Sequence, residues 1–150
     1  MKTDASKNCS FCKIIKGELS AYKVYEDDLC MAFLPLRAIN PGHLILCPKE
    51  HVEDYHLLSD EITAHLAIKA KALSKAVMRG FSSAKVGYAV AGFEVLHAHM
   101  HIIPLHKMHE ITSSAYVSIV DGKIEFLSEN LIEASDEEKK DIVEKLKGVK

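Results

Sequence analysis

Residues 97–103 read His-Ala-His-Met-His-Ile-Ile, with three histidines at alternate positions. Side chains of a β-strand alternate between its two faces, so a strand here would place His97, His99 and His101 on one face. Imidazole is costly to bury without partners and fills a core poorly. The pattern therefore favours catalysis or metal binding over a structural role for these histidines.

A single metal ion does not readily take all three histidines. At ~3.3 Å per residue, the α-carbons of His97 and His101 would lie ~13 Å apart on a straight strand. Zinc holds its nitrogen ligands at only ~2.1 Å. Two of the histidines could share a metal, which leaves the third for another role. We therefore expect the three histidines to have different functions.

The cysteines suggest which histidine binds the metal. Cys9-Ser10-Phe11-Cys12 is a CxxC pair that can supply two thiolates to a tetrahedral zinc ion. His51 and His97 are the natural candidates for the two remaining ligands. A redox pair or two unconnected thiols stay open as alternatives, although the βαβ context of a thioredoxin-like motif is missing.

The surrounding sequence predicts about five strands and one long helix. Ser59 offers an N-cap, apolar residues then recur at near-helical spacing, and Gly80 closes the helix. Gly92 separates the last two strands, and Pro104 is expected to stop the final one. The predicted strands span 21–25, 29–34, 43–47, 86–91 and 95–103. This mixture indicates an α+β protein.

Beyond the histidines, the sequence predicts a hairpin and a final helix. Asp121-Gly122 lies between β-rich runs at 116–120 and 123–127, which suits a two-residue type I′ turn. Ser135 followed by Glu138 is a capping-box pattern that opens a charged helix. We expect one domain over residues 1–150, with a core at about 9–105 and an extension at about 111–148.

Composition narrows the class of protein. The chain has 150 residues, 48% of them hydrophobic, which is enough for one core. It carries 19 Lys and Arg against 21 Asp and Glu, and without a long basic block a polymeric nucleic-acid partner is not expected. The polar start lacks a secretory signal and no apolar run approaches the ~20 residues of a membrane span, so we expect a cytoplasmic protein.

Together these motifs resemble the histidine-triad family, whose signature His-φ-His-φ-His-φ-φ is matched at 97–103. Residues 9–18, 24–27, 41–43 and 48–51 are similar to other blocks of that family, in the same order. The resemblance covers about 9–105. It implies a HIT-like α+β fold, in which an antiparallel sheet of about five strands packs against one long central helix.

The resemblance also implies an activity and residue roles. Members hydrolyse or transfer at the α-phosphate of nucleoside phosphoramidates or dinucleoside polyphosphates, through a nucleotidyl-histidine intermediate. His99 would be the nucleophile, His101 would face the phosphate or leaving group, and His43 would support them. The implied zinc ligands are Cys9, Cys12, His51 and His97, and the implied nucleotide contacts are Phe33, Leu36, Gly92, Val95 and His101. A homodimer is also implied.

Some family positions are filled differently, and these bear on substrate recognition. Pro35 stands where an acidic or amide residue usually holds ribose hydroxyls, and Phe93 stands where glutamine is common. Two alternatives to the hydrolase therefore stay open. One is a nucleotide-binding regulatory protein with little turnover, and the other is a zinc-stabilised interaction module.

Overall fold

The computed structural model describes residues 5–111, 117–126 and 131–150. A five-stranded antiparallel sheet has the order β1-β2-β3-β5-β4, and β6 and β7 form a separate two-stranded hairpin. The strands are β1 (Lys23–Glu26), β2 (Cys30–Phe33), β3 (Leu44–Pro48), β4 (Lys85–Ala89), β5 (Met100–Leu105), β6 (Val117–Val120) and β7 (Lys123–Phe126). The helices are α1 (Ala5–Asn8), α2 (Ser10–Ile15), α3 (Asp60–Phe81) and α4 (Asp136–Lys145), with a 3-10 turn at Tyr55–Leu57.

Helix α3 is the long helix that the sequence predicts, and it covers one face of the sheet. Ser59 caps it by accepting the N–H of Ile62 at 3.2 Å, and Ser82 ends it in the left-handed conformation at φ 47°. Its buried residues recur at helical spacing and pack on alternate residues of β2, β3 and β5. They are Leu66, Ala70, Leu73, Ala76 and Val77.

The opposite face of the sheet carries a second, smaller core. Met31 and Phe33 of β2 point to this side, because their neighbours Cys30 and Ala32 point to α3. Helix α2 packs here, so the CxxC motif that begins it is buried against the sheet. The predicted α+β fold, with a five-stranded antiparallel sheet and one long helix, is confirmed.

The predicted strand at 95–103 is wrong at both ends. The chain leaves the ladder after Ala89, turns at Gly92 with φ 80°, and returns as β5 only at Met100. Between these points Ala98 donates to the carbonyl of Val52 at 2.7 Å, outside the sheet. His97 and His99 therefore precede the strand, and only His101 lies within it.

Pro104 does not stop β5 as expected. Pairing with β3 ends at Leu44 opposite Ile102, while pairing with β4 continues to Leu105. The carbonyl of Pro104 accepts from the side chain of Asn40 at 2.8 Å, on the side where β3 has ended. A residue's N and C=O face the same side of a strand, so the missing N–H of Pro104 costs no ladder bond.

The C-terminal elements follow the sequence prediction. Asp121 and Gly122 have φ of 49° and 76°, the two positive values that a type I′ turn requires. Tyr116 and Leu127, the outer ends of the predicted hairpin, lie outside the described residues. Ser135 and Glu138 form a complete capping box, and Ile142 of α4 is buried in the core beside α3.

No helix in the described ranges is long and apolar enough to cross a membrane.

The turn between β1 and β2 is organised by one carboxylate. Asp27 accepts the backbone N–H groups of Leu29 and Cys30 at 2.9 and 2.8 Å and the hydroxyl of Tyr25 at 2.7 Å. His65 of α3 lies 2.7 Å from the same carboxylate. Asp27 thereby fixes the hairpin and joins it to the long helix.

We expect Asp27→Ala to lower the free energy of unfolding by about 2 kcal/mol or more, because buried donors lose their acceptor. Asp28→Ala is the matched control, since Asp28 is exposed and makes no hydrogen bond within the described chain. It should cost less than about 0.5 kcal/mol. Urea denaturation of both variants tests this, and equal losses would contradict the role given to Asp27.

Candidate active site

The two cysteines of the CxxC motif lie where the chain enters α2. Cys9 is the N-cap residue, and its Sγ accepts the backbone N–H of Cys12 at 3.5 Å. Residues three apart share one side of a helical turn, so the two thiols face the same way. Both cysteines are buried.

Two histidines bring ring nitrogens to these thiols. The Nδ1 of His97 lies 3.4 Å from the Sγ of Cys9 and 3.6 Å from the Sγ of Cys12. The Nδ1 of His51 lies 3.2 Å from the Sγ of Cys12. The structure thus brings together all four residues that the sequence suggested as metal ligands, with one ligand atom of each within 4.8 Å of the others.

This quartet has the dimensions of a tetrahedral zinc site. Zn–S bonds of ~2.3 Å and Zn–N bonds of ~2.1 Å imply a sulfur–nitrogen separation of ~3.6 Å. His97 is also in the right tautomer, because its Nε2 lies 2.8 Å from the carbonyl of Pro48, which can only accept. The proton is therefore on Nε2, and the lone pair of Nδ1 faces the thiols.

His99 is held in a complementary way. Its Nδ1 lies 2.6 Å from the backbone carbonyl of His97, so this nitrogen carries the proton. The Nε2 of His99 is left with a free lone pair. The ring of Phe11 packs edge-on against His99, with the ring centroids 5.1 Å apart. The result is an imidazole with one orientation, in which Nε2 is the nitrogen without a hydrogen-bond partner in the described chain.

His43 and His101 form a hydrogen-bonded pair next to it. The Nδ1 of His43 accepts the backbone N–H of Ile39 at 3.1 Å, which places the proton of His43 on Nε2. That Nε2 donates to the Nδ1 of His101 at 2.9 Å. His101 must then carry its own proton on Nε2, and its ring centroid lies 5.2 Å from that of His99. The rings of His99 and His101 are thus neighbours, and the Nε2 of His101 is an N–H donor.

Burial keeps this pair uncharged. It lowers the pKa of His43 to about 3 and the pKa of His101 to about 4. Repulsion that a protonated ring would meet from a protonated neighbour, His101 for His43 and His99 for His101, adds to the effect. At the thiols, burial and then the neighbouring Cys9 raise the pKa of Cys12 to about 11. A bound cation would reverse this last effect by stabilising the thiolate.

The residues suggested as nucleotide contacts are placed unequally. Gly92 approaches the ring of His99, since a Cβ added to it would lie 3.9 Å from Cε1. Val95 packs in the smaller core, and Phe33 is buried there with its ring 5.2 Å from that of Phe11. Leu36, in contrast, is 85% exposed. The structure therefore brings Gly92 to the histidines but does not bury Leu36 beside them.

Sequence reasoning missed the role of Phe11. Its ring contacts those of His97, His99 and Phe33, with centroid distances of 5.8, 5.1 and 5.2 Å. Phe11 therefore packs between the cysteine motif and the histidines. The available signal was that an aromatic residue stands within the CxxC motif itself.

Comparison with known proteins gives consistent similarities. A HIT domain family model matches residues 16–108. An uncharacterised HIT-like protein of Borreliella burgdorferi is 41% identical over 107 residues, covering 67% of this chain and 77% of that protein. The adenosine 5′-monophosphoramidase hnt1 of Schizosaccharomyces pombe is 37% identical over 98 residues, covering 65% of this chain and 74% of that enzyme.

The fold also matches solved structures. A zinc-bound histidine triad family protein from Mycobacterium smegmatis superposes with a TM-score of 0.69, covering 94% of both chains. At 22% identity this likeness concerns the fold.

Neutral His43 and His101 make folding pH-dependent. Between the ordinary pKa of 6.5 and the folded value of about 4 for His101, the unfolded chain binds more protons, so stability falls as the pH falls. We expect His101→Asn to reduce this slope by up to about 1.4 kcal/mol per pH unit. Urea unfolding at pH 7, 6 and 5 measures this slope.

His56→Gln, which changes an exposed histidine, is the control and should leave the slope unchanged. An unaltered slope in His101→Asn would contradict the conclusion that folding lowers the pKa of His101.

Proposed function

Because the chain belongs to the histidine triad (HIT) domain family, we propose that it is a nucleotide hydrolase or transferase that uses His99 as its nucleophile. The substrate class we propose is a nucleoside phosphoramidate or a dinucleoside polyphosphate. The similarity to an adenosine 5′-monophosphoramidase supports the first of these. The proposal depends on one observation, the hydrogen bond from His99 Nδ1 to the carbonyl of His97.

That hydrogen bond supports nucleophilic catalysis. A neutral imidazole is a nucleophile only through the nitrogen that lacks a proton, and here this is Nε2. Attack by Nε2 on the α-phosphorus forms an N–P bond and breaks the bond to the leaving group. The proton stays on Nδ1, and its hydrogen bond to the carbonyl of His97 stabilises the positive charge of the nucleotidylated ring.

His101 serves the same step as a donor. Its Nε2–H can bond a phosphoryl oxygen or the departing atom, whose charge increases in the transition state. The leaving group takes up a proton from solvent as it departs. Water then attacks phosphorus, the N–P bond breaks, and the nucleoside monophosphate is released with a proton to solvent. Another acceptor in place of water would make the reaction a transfer.

Cys9, Cys12, His51 and His97 are proposed to hold zinc as a structural ion. All four donors would be protein side chains, which leaves no open position, as in structural rather than catalytic zinc sites. When bound, the ion would fix the ring of His97. The backbone carbonyl of the same residue orients His99, so the ion would support the nucleophile without touching the substrate.

One observation favours a binding protein with little turnover as a second candidate. Pro35 offers no side-chain acceptor for a ribose hydroxyl, and Phe93, which is 95% exposed, offers no polar group to a phosphate. Both positions therefore lack polar contacts that would hold a nucleotide for reaction.

Mass spectrometry of intact protein distinguishes the two candidates. We expect protein quenched during turnover of adenosine 5′-phosphoramidate to carry an added adenylyl group, because Nε2 of His99 forms a covalent intermediate. His99→Ala should show no such group and should lose at least about 1,000-fold in kcat, because the covalent route is closed.

The matched control is His109→Ala, which removes an exposed histidine from a loop after β5. It should retain both the adduct and the turnover. Nucleotide binding by the wild type without adduct or turnover would favour the second candidate.

The metal proposal predicts a stoichiometry. We expect one zinc ion per chain in the wild type and much less in Cys12→Ser, together with a lower unfolding temperature, because ligation is coupled to folding. Cys47→Ala changes another buried cysteine, outside the quartet, and should retain the ion. Elemental analysis after dialysis is the measurement, and equal zinc content in the two variants would refute the quartet.

A further inference from the structure

The hydrogen bond between His43 and His101 joins the end of a turn to a strand of the sheet. The ladder between β3 and β5 pairs His101 with Ile45 and ends at Leu44 opposite Ile102. His43 lies one residue beyond this end, after the turn that begins at Asn40. Strand pairing therefore fixes His101 directly, whereas the turn determines the position of His43.

Two side chains continue the connection beyond the ladder. The Nδ2 of Asn40 donates to the carbonyl of Pro104 at 2.8 Å and to the Oε1 of Glu110 at 3.1 Å. The other oxygen of Glu110 accepts the backbone N–H groups of His106 and Lys107 at 2.5 and 2.9 Å. Glu110 thus binds the segment that leaves β5 and, through Asn40, the turn.

The turn transmits this constraint to His43. The backbone carbonyl of Asn40 accepts the N–H of His43 at 3.1 Å, and the neighbouring N–H of Ile39 donates to the His43 ring. Gly42 leaves the turn little room to shift towards α3, because a Cβ there would lie 2.6 Å from Phe81. A displacement of Asn40 would therefore move the imidazole of His43.

Glu110 is well suited to this task. Burial alone would raise the pKa of its carboxyl. The hydrogen bonds from the N–H groups of Lys107 and His106 and from the amide of Asn40 outweigh burial, so the pKa is lowered and the group is ionised at neutral pH. A carboxylate can accept all three bonds, whereas a glutamine would present an amide NH₂ to one of these donors.

We propose that Glu110, acting through Asn40, is a positioning residue for the His43–His101 pair. Glu110 contacts neither histidine, so it would act by holding the turn, and with it the ring of His43, in place against β5. The inference rests on the proposed function for its catalytic consequence, but its structural part can be measured without turnover.

The first test is long-range ¹H–¹⁵N NMR of the imidazoles in folded protein. In the wild type we expect a slowly exchanging Nε2 proton on His43 and an unprotonated Nδ1 on His101. Glu110→Gln should accelerate exchange of that proton by about tenfold, because the loss of one hydrogen bond lets the turn open. Glu125→Gln, an exposed carboxylate on the hairpin, is the control and should give the wild-type spectrum.

The second test is kinetic. With adenosine 5′-phosphoramidate, Glu110→Gln should lower kcat by about three- to thirtyfold with KM unchanged, because Glu110 does not touch the substrate. Asn40→Ala should do the same, and the double variant should be no slower than the slower single one. Wild-type exchange and kcat in a folded Glu110→Gln would overturn the inference. No turnover in the wild type would refute the proposed function instead, and the NMR test would still decide the role of Glu110.

Discussion

The 2.6 Å hydrogen bond between the His99 ring and the His97 backbone is the contact on which the site depends. His97 makes three contacts: its Nδ1 faces the thiols, its Nε2 donates to the carbonyl of Pro48, and its backbone carbonyl orients His99. The metal quartet and the proposed nucleophile therefore share one residue. A displacement of His97 would therefore disturb both the quartet and the orientation of His99.

The sheet supports this coupling by separating two tasks. The face packed on α3 holds the larger core, with Leu44, Leu46 and Ile102 fully buried. The other face carries the two cysteines of the CxxC motif and Phe11. Strand β5 lies between β3 and β4, so His101 belongs to a strand paired on both sides, while His97 and His99 precede it in a loop. Strand pairing thus fixes His101, and side-chain hydrogen bonds fix His97 and His99.

Much of this could be predicted from local patterns. The periodic apolar residues of α3, the Asp-Gly turn and the capping box at Ser135 each reflect a short-range physical preference, and each was confirmed. The bounds of β5 could not be predicted in this way. Alternating histidines look like a strand, but the bond from Ala98 to Val52 removes that segment from the ladder. The prediction that Pro104 stops β5 is wrong, because β3 ends before it reaches Pro104 and leaves that side of β5 without a strand partner. Where β3 ends is not visible in the sequence around Pro104. The hydrogen bond between Asn40 and Glu110 joins residues that are 70 positions apart, and no local pattern marks it.

The sequence separation within the quartet has a consequence for biosynthesis. Cys9 and His97 are 88 residues apart, whereas His43 and His101 are joined through adjacent strands. A growing chain exposes its first two thiols long before their histidine partners emerge from the ribosome. The quartet cannot be complete before His97 has been synthesised, 85 residues after Cys12. Until then both thiols stay open to oxidants and competing metals.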